Sequence, residues 1–272
     1  MIPSLQLKLK TKQYDIMIII HAIDPLETER LSAVCIGNFD GVHTAHKQIL
    51  QQTRQEAINM NGISVVISFS KHPQAVLHPQ NKHFGLLCSE EDKIKRIADM
   101  GIDYYISLNF NQEMAETSYL DFIRTLKNKL NLHTLVMGGN HHFGKGKGGN
   151  LSAIQAAAAT ENINIALVDD IYINQEKVSS SAIRAKILKG DFAGANAMLG
   201  YQYSLTAYNA GSWTKYTRFM PLNNQAILPP AHKQYPISID NTITTAHTDG
   251  FYIYIESAEC HQKEKVIISF LN

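Results

Sequence analysis

Cysteine is scarce in these 272 residues: Cys35, Cys88 and Cys260 are the only three. Their spacing fits neither a zinc site nor a redox pair, and an odd count supports no disulfide framework. A reducing cytoplasm is the expected setting. Long apolar runs are missing too. The run Ile16–Ile20 is far too short to cross a bilayer and reads as a strand. Met1–Lys12 has no apolar stretch of signal-peptide length. Neither sign of charge dominates, with 25 Lys and Arg against 24 Asp and Glu, a formal net charge of +1. No global field therefore points to nucleic acid or to an anionic membrane, and neither is expected as a partner. Repeats and low-complexity tracts are absent, and tryptophan occurs once, as Trp213 near the C-terminal end.

What is present is enough apolar residue for a proper core, 44% of the chain. Short runs rich in β-branched residues occur at 33–36, 65–69, 104–108, 134–137 and 165–168, each suited to a strand buried on both faces. Helical patterns alternate with them. One is expected over 46–60, one over 89–100 with a capping-box-like start and Gly101 after its end, and one over 118–130 with Leu120, Ile123, Leu126 and Leu130 on one face. Further helices are expected at 151–160, 181–189 and 192–199. Strand–helix alternation predicts a parallel sheet with helices on both faces, an α/β fold whose ligands bind at the carboxyl ends of the strands. After Gly200 the texture changes. Prolines interrupt the chain, and Thr242–His247 and Phe251–Ile255 flank Asp249-Gly250, a hairpin signal. Two domains are expected, 1–200 and a small β-rich one at 201–272, with Val266–Phe270 as a last strand and Gln225–Pro230 as a strand remnant.

Four segments carry chemistry. The first, Gly37-Asn38-Phe39-Asp40-Gly41-Val42-His43-Thr44-Ala45-His46, leaves a strand and enters a helix, whose N-terminus offers unpaired N–H groups and partial positive charge to a phosphate. Two histidines three apart are expected to face one side of its first turn, with Asp40 placed to orient one of them or a metal-bound water. The second segment, Phe69-Ser70-Lys71-His72-Pro73, follows the second strand. The third, Gly138-Gly139-Asn140-His141-His142-Phe143-Gly144-Lys145-Gly146-Lys147-Gly148-Gly149, is glycine-rich and lets backbone approach a ligand closely. The fourth, Ser179-Ser180-Ser181-Ala182-Ile183-Arg184, joins serines that cap a helix to a guanidinium suited to phosphate. Cys35 is expected to be a packed small hydrophobe rather than a nucleophile.

Taken in order, these segments resemble the signatures of the FAD synthetase module of bacterial bifunctional riboflavin kinase/FAD synthetases. The first is similar to G-x-F-D-G-x-H-x-G-H, a form of the nucleotidyltransferase H-x-G-H motif, with Ala45 in place of the last glycine. The second is similar to F-x-P-H-P with Lys71 replacing proline, the third to V-G-x-D-F-x-F-G with His141 replacing an aromatic, and the fourth to S-S-T-x-I-R. The resemblance spans about 33–200 and implies a Rossmann-like nucleotidyltransferase domain that joins ATP and FMN, with Mg2+, to make FAD and pyrophosphate. It implies His43 and His46 at the α and β phosphates, Ser180 and Arg184 on the triphosphate, and Asp40 supporting the histidine loop. It further implies Gly37, Asn38, Phe39, Gly41, His72, Gly138, Asn140, Phe143, Gly144 and Ser179 as substrate-binding positions, Asn140 in the flavin or metal site, and names no metal ligand. The region after 200 is similar only to the entry of a riboflavin-kinase barrel. Where a G-x-P-T-A-N segment is expected the chain reads Thr214–Pro221, so a reduced barrel without kinase activity is expected. Two other readings stay open on these residues: a flavin- or nucleotide-binding relative without catalysis, and a nucleotidyltransferase for another phosphorylated acceptor.

Overall fold

The computed structural model describes residues 7–10, 16–70, 85–139, 142–213, 215–222, 226–231, 233–239, 242–256 and 264–272. Lys71, His72, Asn140, His141 and Cys260 lie outside the described residues. The chain divides into two compact units. The first takes Met1–Phe39, Ala45–Lys82 and Glu90–Asp170; the second takes Asp40–Thr44, His83–Ser89 and Ile171–Asn272.

The first unit is built on a seven-stranded sheet of β1 (Leu7–Lys10), β2 (Ile16–Ile20), β3 (Ser32–Ile36), β4 (Ile63–Phe69), β5 (Tyr104–Leu108), β6 (Leu132–Gly138) and β7 (Asn164–Val168). Their spatial order is β1-β2-β5-β4-β3-β6-β7. Only β1 is antiparallel, to β2; the other neighbours run parallel. The helices are α1 (Thr44–Asn59), α2 (Glu90–Ala98), α3 (Gln112–Glu116), α4 (Tyr119–Leu130) and α5 (Leu151–Thr160). Side chains alternate across the strands, and both faces are covered. On one face Val34, Ile63, Val65, Ile67 and Leu135 form a core with Ile123, Leu126 and Leu130 of α4 and Ile154 of α5. On the other face Cys35 hydrogen-bonds Thr53 of α1, and burial pushes its thiol up to about 12, which keeps it protonated and inert.

The expectation of strands buried on both faces fails at β7. Among the described residues its only ladder partner is β6, and Asn164 and Leu167 are exposed. The short α3 has no counterpart in the sequence reading. Asn111 caps it, accepting from the Met114 N–H. From β3 the chain steps one way to β4 and β5, then returns to place β6 on the other side of β3. The carboxyl ends of β3 and β6 therefore flank the topological switch point, where open α/β sheets bind ligands. The two glycine-bearing segments at Gly37 and Gly138 leave the sheet there.

The second unit contains a two-stranded ribbon, β8 (Tyr172–Ile173) and β9 (Glu176–Lys177), then α6 (Ser180–Ile187) and α7 (Phe192–Leu199). A closed barrel follows, made of β10 (Ser204–Trp213), β11 (Tyr216–Pro221), β12 (Tyr235–Ile239), β13 (Thr242–Thr248), β14 (Ile253–Ile255) and β15 (Lys265–Phe270), in the order β10-β11-β14-β13-β12-β15. Closure removes exposed sheet edges. The hairpin expected at Asp249-Gly250 joins β13 to β14, and Asp249 accepts from the Phe251 and Tyr252 N–H groups. Residues 216–221 of the stretch compared with a kinase motif are simply β11. Of the strand remnant expected at Gln225–Pro230, Gln225 lies outside the described residues, Ala226 makes a single bridge with Leu86, and Ile227–Pro230 are outside any strand. The two prolines at its end cannot donate to a ladder. Pro236, by contrast, sits inside β12. Its carbonyl accepts from Leu271, where the β15 ladder has ended, so the missing N–H costs no strand bond.

Inward barrel positions such as Leu205, Phe219, Ile237, Ile253, Ile255 and Ile268 are at most 6% exposed. Phe192 of α7 stacks on Phe270 at 4.5 Å and 11°, with Tyr203 and Tyr235 around it. Tyr203 is fully buried and donates to the Ile227 carbonyl at 2.9 Å. Phe192 is thus the contact through which α7 is seated on the barrel. Phe192→Ala should cost about 3–5 kcal/mol by loss of transfer energy and an unfilled cavity. Urea unfolding measures this; a loss under about 1 kcal/mol would show that the aromatic stack is not holding α7.

Candidate active site

The first unit supplies the start of the histidine loop. Gly37 donates its N–H to Ile67 O at 3.0 Å. A Cβ on Gly37 would meet the Phe39 ring at 3.2 Å, so glycine lets this ring fold back. Phe39 has φ +49°, is 1% exposed, and packs its ring edge-on to His46 at 5.2 Å and 63°. The structure places Phe39 inside, against a histidine. Asn38 has its carbonyl held by the Ser68 hydroxyl at 3.2 Å, while its Oδ1 is buried with no hydrogen-bond partner among the described residues. An orphaned buried acceptor fits a ligand N–H. Beneath this turn lies a polar cluster that the sequence reading missed. Lys93, 6% exposed, reaches Glu90 at 2.6 Å, Phe69 O at 3.0 Å and Ser68 Oγ at 3.2 Å, and Glu90 accepts from Tyr105 at 2.8 Å. One signal was available: Lys93 falls four residues before Ile97, on the buried stripe of α2.

The second unit supplies the rest of the loop. α1 begins at Thr44, two residues before the start expected from the sequence, so His43 precedes the helix and only His46 lies in its first turn. The Thr44 hydroxyl donates to Met198 O at 2.9 Å. Gly41 has φ +78°, and a Cβ there would meet Leu87 at 2.9 Å. Val42 has φ +40° and is fully buried, a conformation that a β-branched residue takes only when its surroundings impose it. The surroundings are visible. Asp40, 5% exposed, accepts the Leu87 N–H at 2.9 Å and pairs with Arg184. Arg184 also donates from Nε to Gly85 O at 2.7 Å. The Ser180 hydroxyl donates to Asp40 O at 3.2 Å, the Tyr201 hydroxyl donates to Gly41 O, and Gly41 N–H donates to Cys88 Sγ at 3.2 Å. Ser179 caps α6 by accepting from Ala182 N–H at 3.1 Å. Arg184 stands in the second turn of α6, and its side chain reaches back to Asp40. Tyr201, Leu87 and Cys88 carried no sequence signal, since their parts are set by tertiary contacts with a backbone.

In the third segment Gly138 ends β6, and Gly139 has open space where a Cβ would stand. Gly144 has φ +83°, and a Cβ there would strike the Tyr119 backbone at 2.6 Å. Phe143 bridges to Gly149 and meets Phe122 edge-on at 5.8 Å. Both residues therefore close this loop onto the start of α4. The described residues contain no group of three or more His, Cys, Asp or Glu side chains able to hold a metal. No helix among the described residues is long and apolar enough to cross a membrane.

The sheet of the first unit carries the start of the glycine–histidine loop at its switch point, and the second unit carries a capped helix with Arg184 paired to Asp40. Comparison with known proteins gives the family. The sequence model of the FAD synthetase family matches residues 26–182, and the chain belongs to that family. It is 32% identical over 182 residues to the FAD synthetase of Listeria monocytogenes, covering 67% of this chain and 74% of that one. It is 29% identical over 177 residues to the bifunctional riboflavin kinase/FMN adenylyltransferase of the same organism, and 28% identical over 172 residues to that of Escherichia coli K12. Those alignments cover 65% and 63% of this chain but only 56% and 55% of the two bifunctional proteins. Among solved structures, a Streptococcus pneumoniae chain titled a macrolide-efflux protein matches with TM-score 0.79 and 20% identity, covering 95% of this chain and 90% of that one. At that identity it shows the fold alone.

Burial, then the charge of Arg184, lowers the His43 imidazole from its ordinary 6.5 to about 4. Between these values the unfolded chain binds the proton that folded His43 refuses. This contribution to stability is complete above pH 6.5 and is lost as pH falls toward 4, roughly 3 kcal/mol in all. His43→Gln should flatten the fall in urea-unfolding stability between pH 6.5 and 4. An unchanged slope would mean that His43 titrates normally in the folded protein.

Proposed function

We propose that the chain transfers AMP from MgATP to FMN, giving FAD and pyrophosphate. An oxygen of the FMN phosphate attacks the α-phosphorus of ATP. The bond from that phosphorus to the bridging oxygen breaks, and pyrophosphate leaves. No covalent enzyme intermediate is needed, so catalysis is positioning and stabilisation of phosphate charge. The observation that carries the reading is the strained loop 37–43, held by the buried Asp40–Arg184 pair in the FAD synthetase family order of segments.

In this reading His43 acts as a neutral imidazole whose N–H donates to a phosphate oxygen, since burial keeps it uncharged at pH 7. His46 donates from the first turn of α1, which carries no acidic residue to repel phosphate. The Arg184 guanidinium, held by Gly85 O and Asp40, is assigned to the triphosphate together with Ser180, since guanidinium pairs well with phosphate. The orphaned Oδ1 of Asn38 accepts an N–H of the ligand. Gly37, Gly41, Phe39, Phe143, Gly144 and Ser179 hold these groups in place, and Gly138 gives backbone access. His72 and Asn140 keep the flavin- and nucleotide-side roles that the resemblance implies. The barrel is assigned no kinase chemistry.

The purified chain should release pyrophosphate from MgATP only when FMN is present, and riboflavin should not substitute for it. His46→Ala should slow release at least tenfold, about 1.4 kcal/mol of transition-state stabilisation. Normal turnover in that variant removes His46 from the mechanism. Absence of FMN-dependent release, with flavin or nucleotide still bound, would leave a binding protein; release with another phosphorylated acceptor would reassign the substrate.

A further inference from the structure

Lys93 and Glu90 lie outside every segment that the family signatures cover. The Lys93 ammonium is satisfied by four oxygens: Glu90 Oε2 at 2.6 Å, Phe69 O at 3.0 Å, Ser68 Oγ at 3.2 Å and Asn38 O at 3.5 Å. The other oxygen of Glu90 accepts from the Tyr105 hydroxyl at 2.8 Å and from Ser107 at 3.2 Å. The pair thus ties together the carboxyl ends of β4 and β5 and the turn that leaves β3. Lys93 is buried but the Glu90 side chain is 35% exposed, and an ion pair with one partly solvated member contributes little to stability alone. What this pair holds suggests another purpose. Asn38 O is gripped by both Lys93 and Ser68, and the next residue, Phe39, is in a left-handed conformation with its ring edge-on to His46 at 5.2 Å.

We propose that the Glu90–Lys93 pair positions His46: it pins the Asn38 carbonyl, which fixes the Phe39 backbone and ring against the imidazole. The pair makes no contact with reacting atoms in this scheme and acts only through the turn. The proposal rests on the role given to His46 above, and its test separates the two.

The variants are Lys93→Met and the double variant Glu90→Gln/Lys93→Met, which leaves no unpaired charge should the single variant fail to fold. The first readout needs no activity. In ligand-free protein, the His46 ring signals in NMR should shift when Lys93 is replaced, because the Phe39 ring beside them moves. The second readout is kinetic. If the wild type forms FAD, kcat should fall about tenfold or more while KM for MgATP changes less than about threefold. Adding either variant to His46→Ala should slow it by less than about twofold further, since groups acting as a unit are non-additive. Unmoved His46 signals overturn the proposal whether or not the protein makes FAD. Losses that multiply with that of His46→Ala overturn it as well. A wild type that forms no FAD would count against the proposed reaction, leaving the NMR result to decide the positioning.

Discussion

A carboxylate at 5% exposure cannot stay charged without a partner, and the cost of burying Asp40 determines the geometry of the histidine loop. Its partner, Arg184, is itself largely buried, with 14% of its side chain exposed. Removing either member of such a pair costs about 3–5 kcal/mol, because the other charge is left uncompensated. The pair does not act alone. The second carboxylate oxygen takes the Leu87 N–H, the Asp40 carbonyl takes the Ser180 hydroxyl, and the Arg184 Nε takes Gly85 O. Together these bonds join the loop, the 85–88 segment and α6. Positive φ at Gly41 and Val42 is the conformational consequence, tolerated because these contacts over-determine the backbone.

Charge near the loop is therefore mostly fixed before any substrate arrives. Burial and the charge of Arg184 hold His43 neutral. Lys93 is matched to Glu90. Preorganised dipoles and paired charges do not have to reorient during phosphate chemistry, which is how such sites lower a barrier without covalent participation.

Much of this was legible in the sequence, and the limits are instructive. The helices at 151–160 and 192–199 have the bounds expected of them. Cys35 is the packed thiol its apolar neighbours suggest. The strand–helix alternation gave the parallel sheet, because buried strands and amphipathic helices carry distinct periods. The exposed edge at β7 did not show, since its apolar residues do not reveal that it has one neighbour. The start of α1 was misplaced by two residues because Thr44 bonds the Met198 carbonyl rather than marking a cap in sequence. Asp40 and Arg184 could be read as functional individually, but not as partners: 144 residues separate them, and no local pattern encodes the pairing. Lys93 and Tyr201 were missed for the same reason, each being defined by a carbonyl that it reaches across the fold.

The account stands or falls on where the phosphorus atoms of ATP go. Incubating the chain with magnesium, FMN and ATP labelled at the α-phosphorus should carry the label into FAD, while label at the γ-phosphorus should appear wholly in pyrophosphate. Label remaining in ATP, or γ-label appearing on the flavin, would contradict adenylyl transfer.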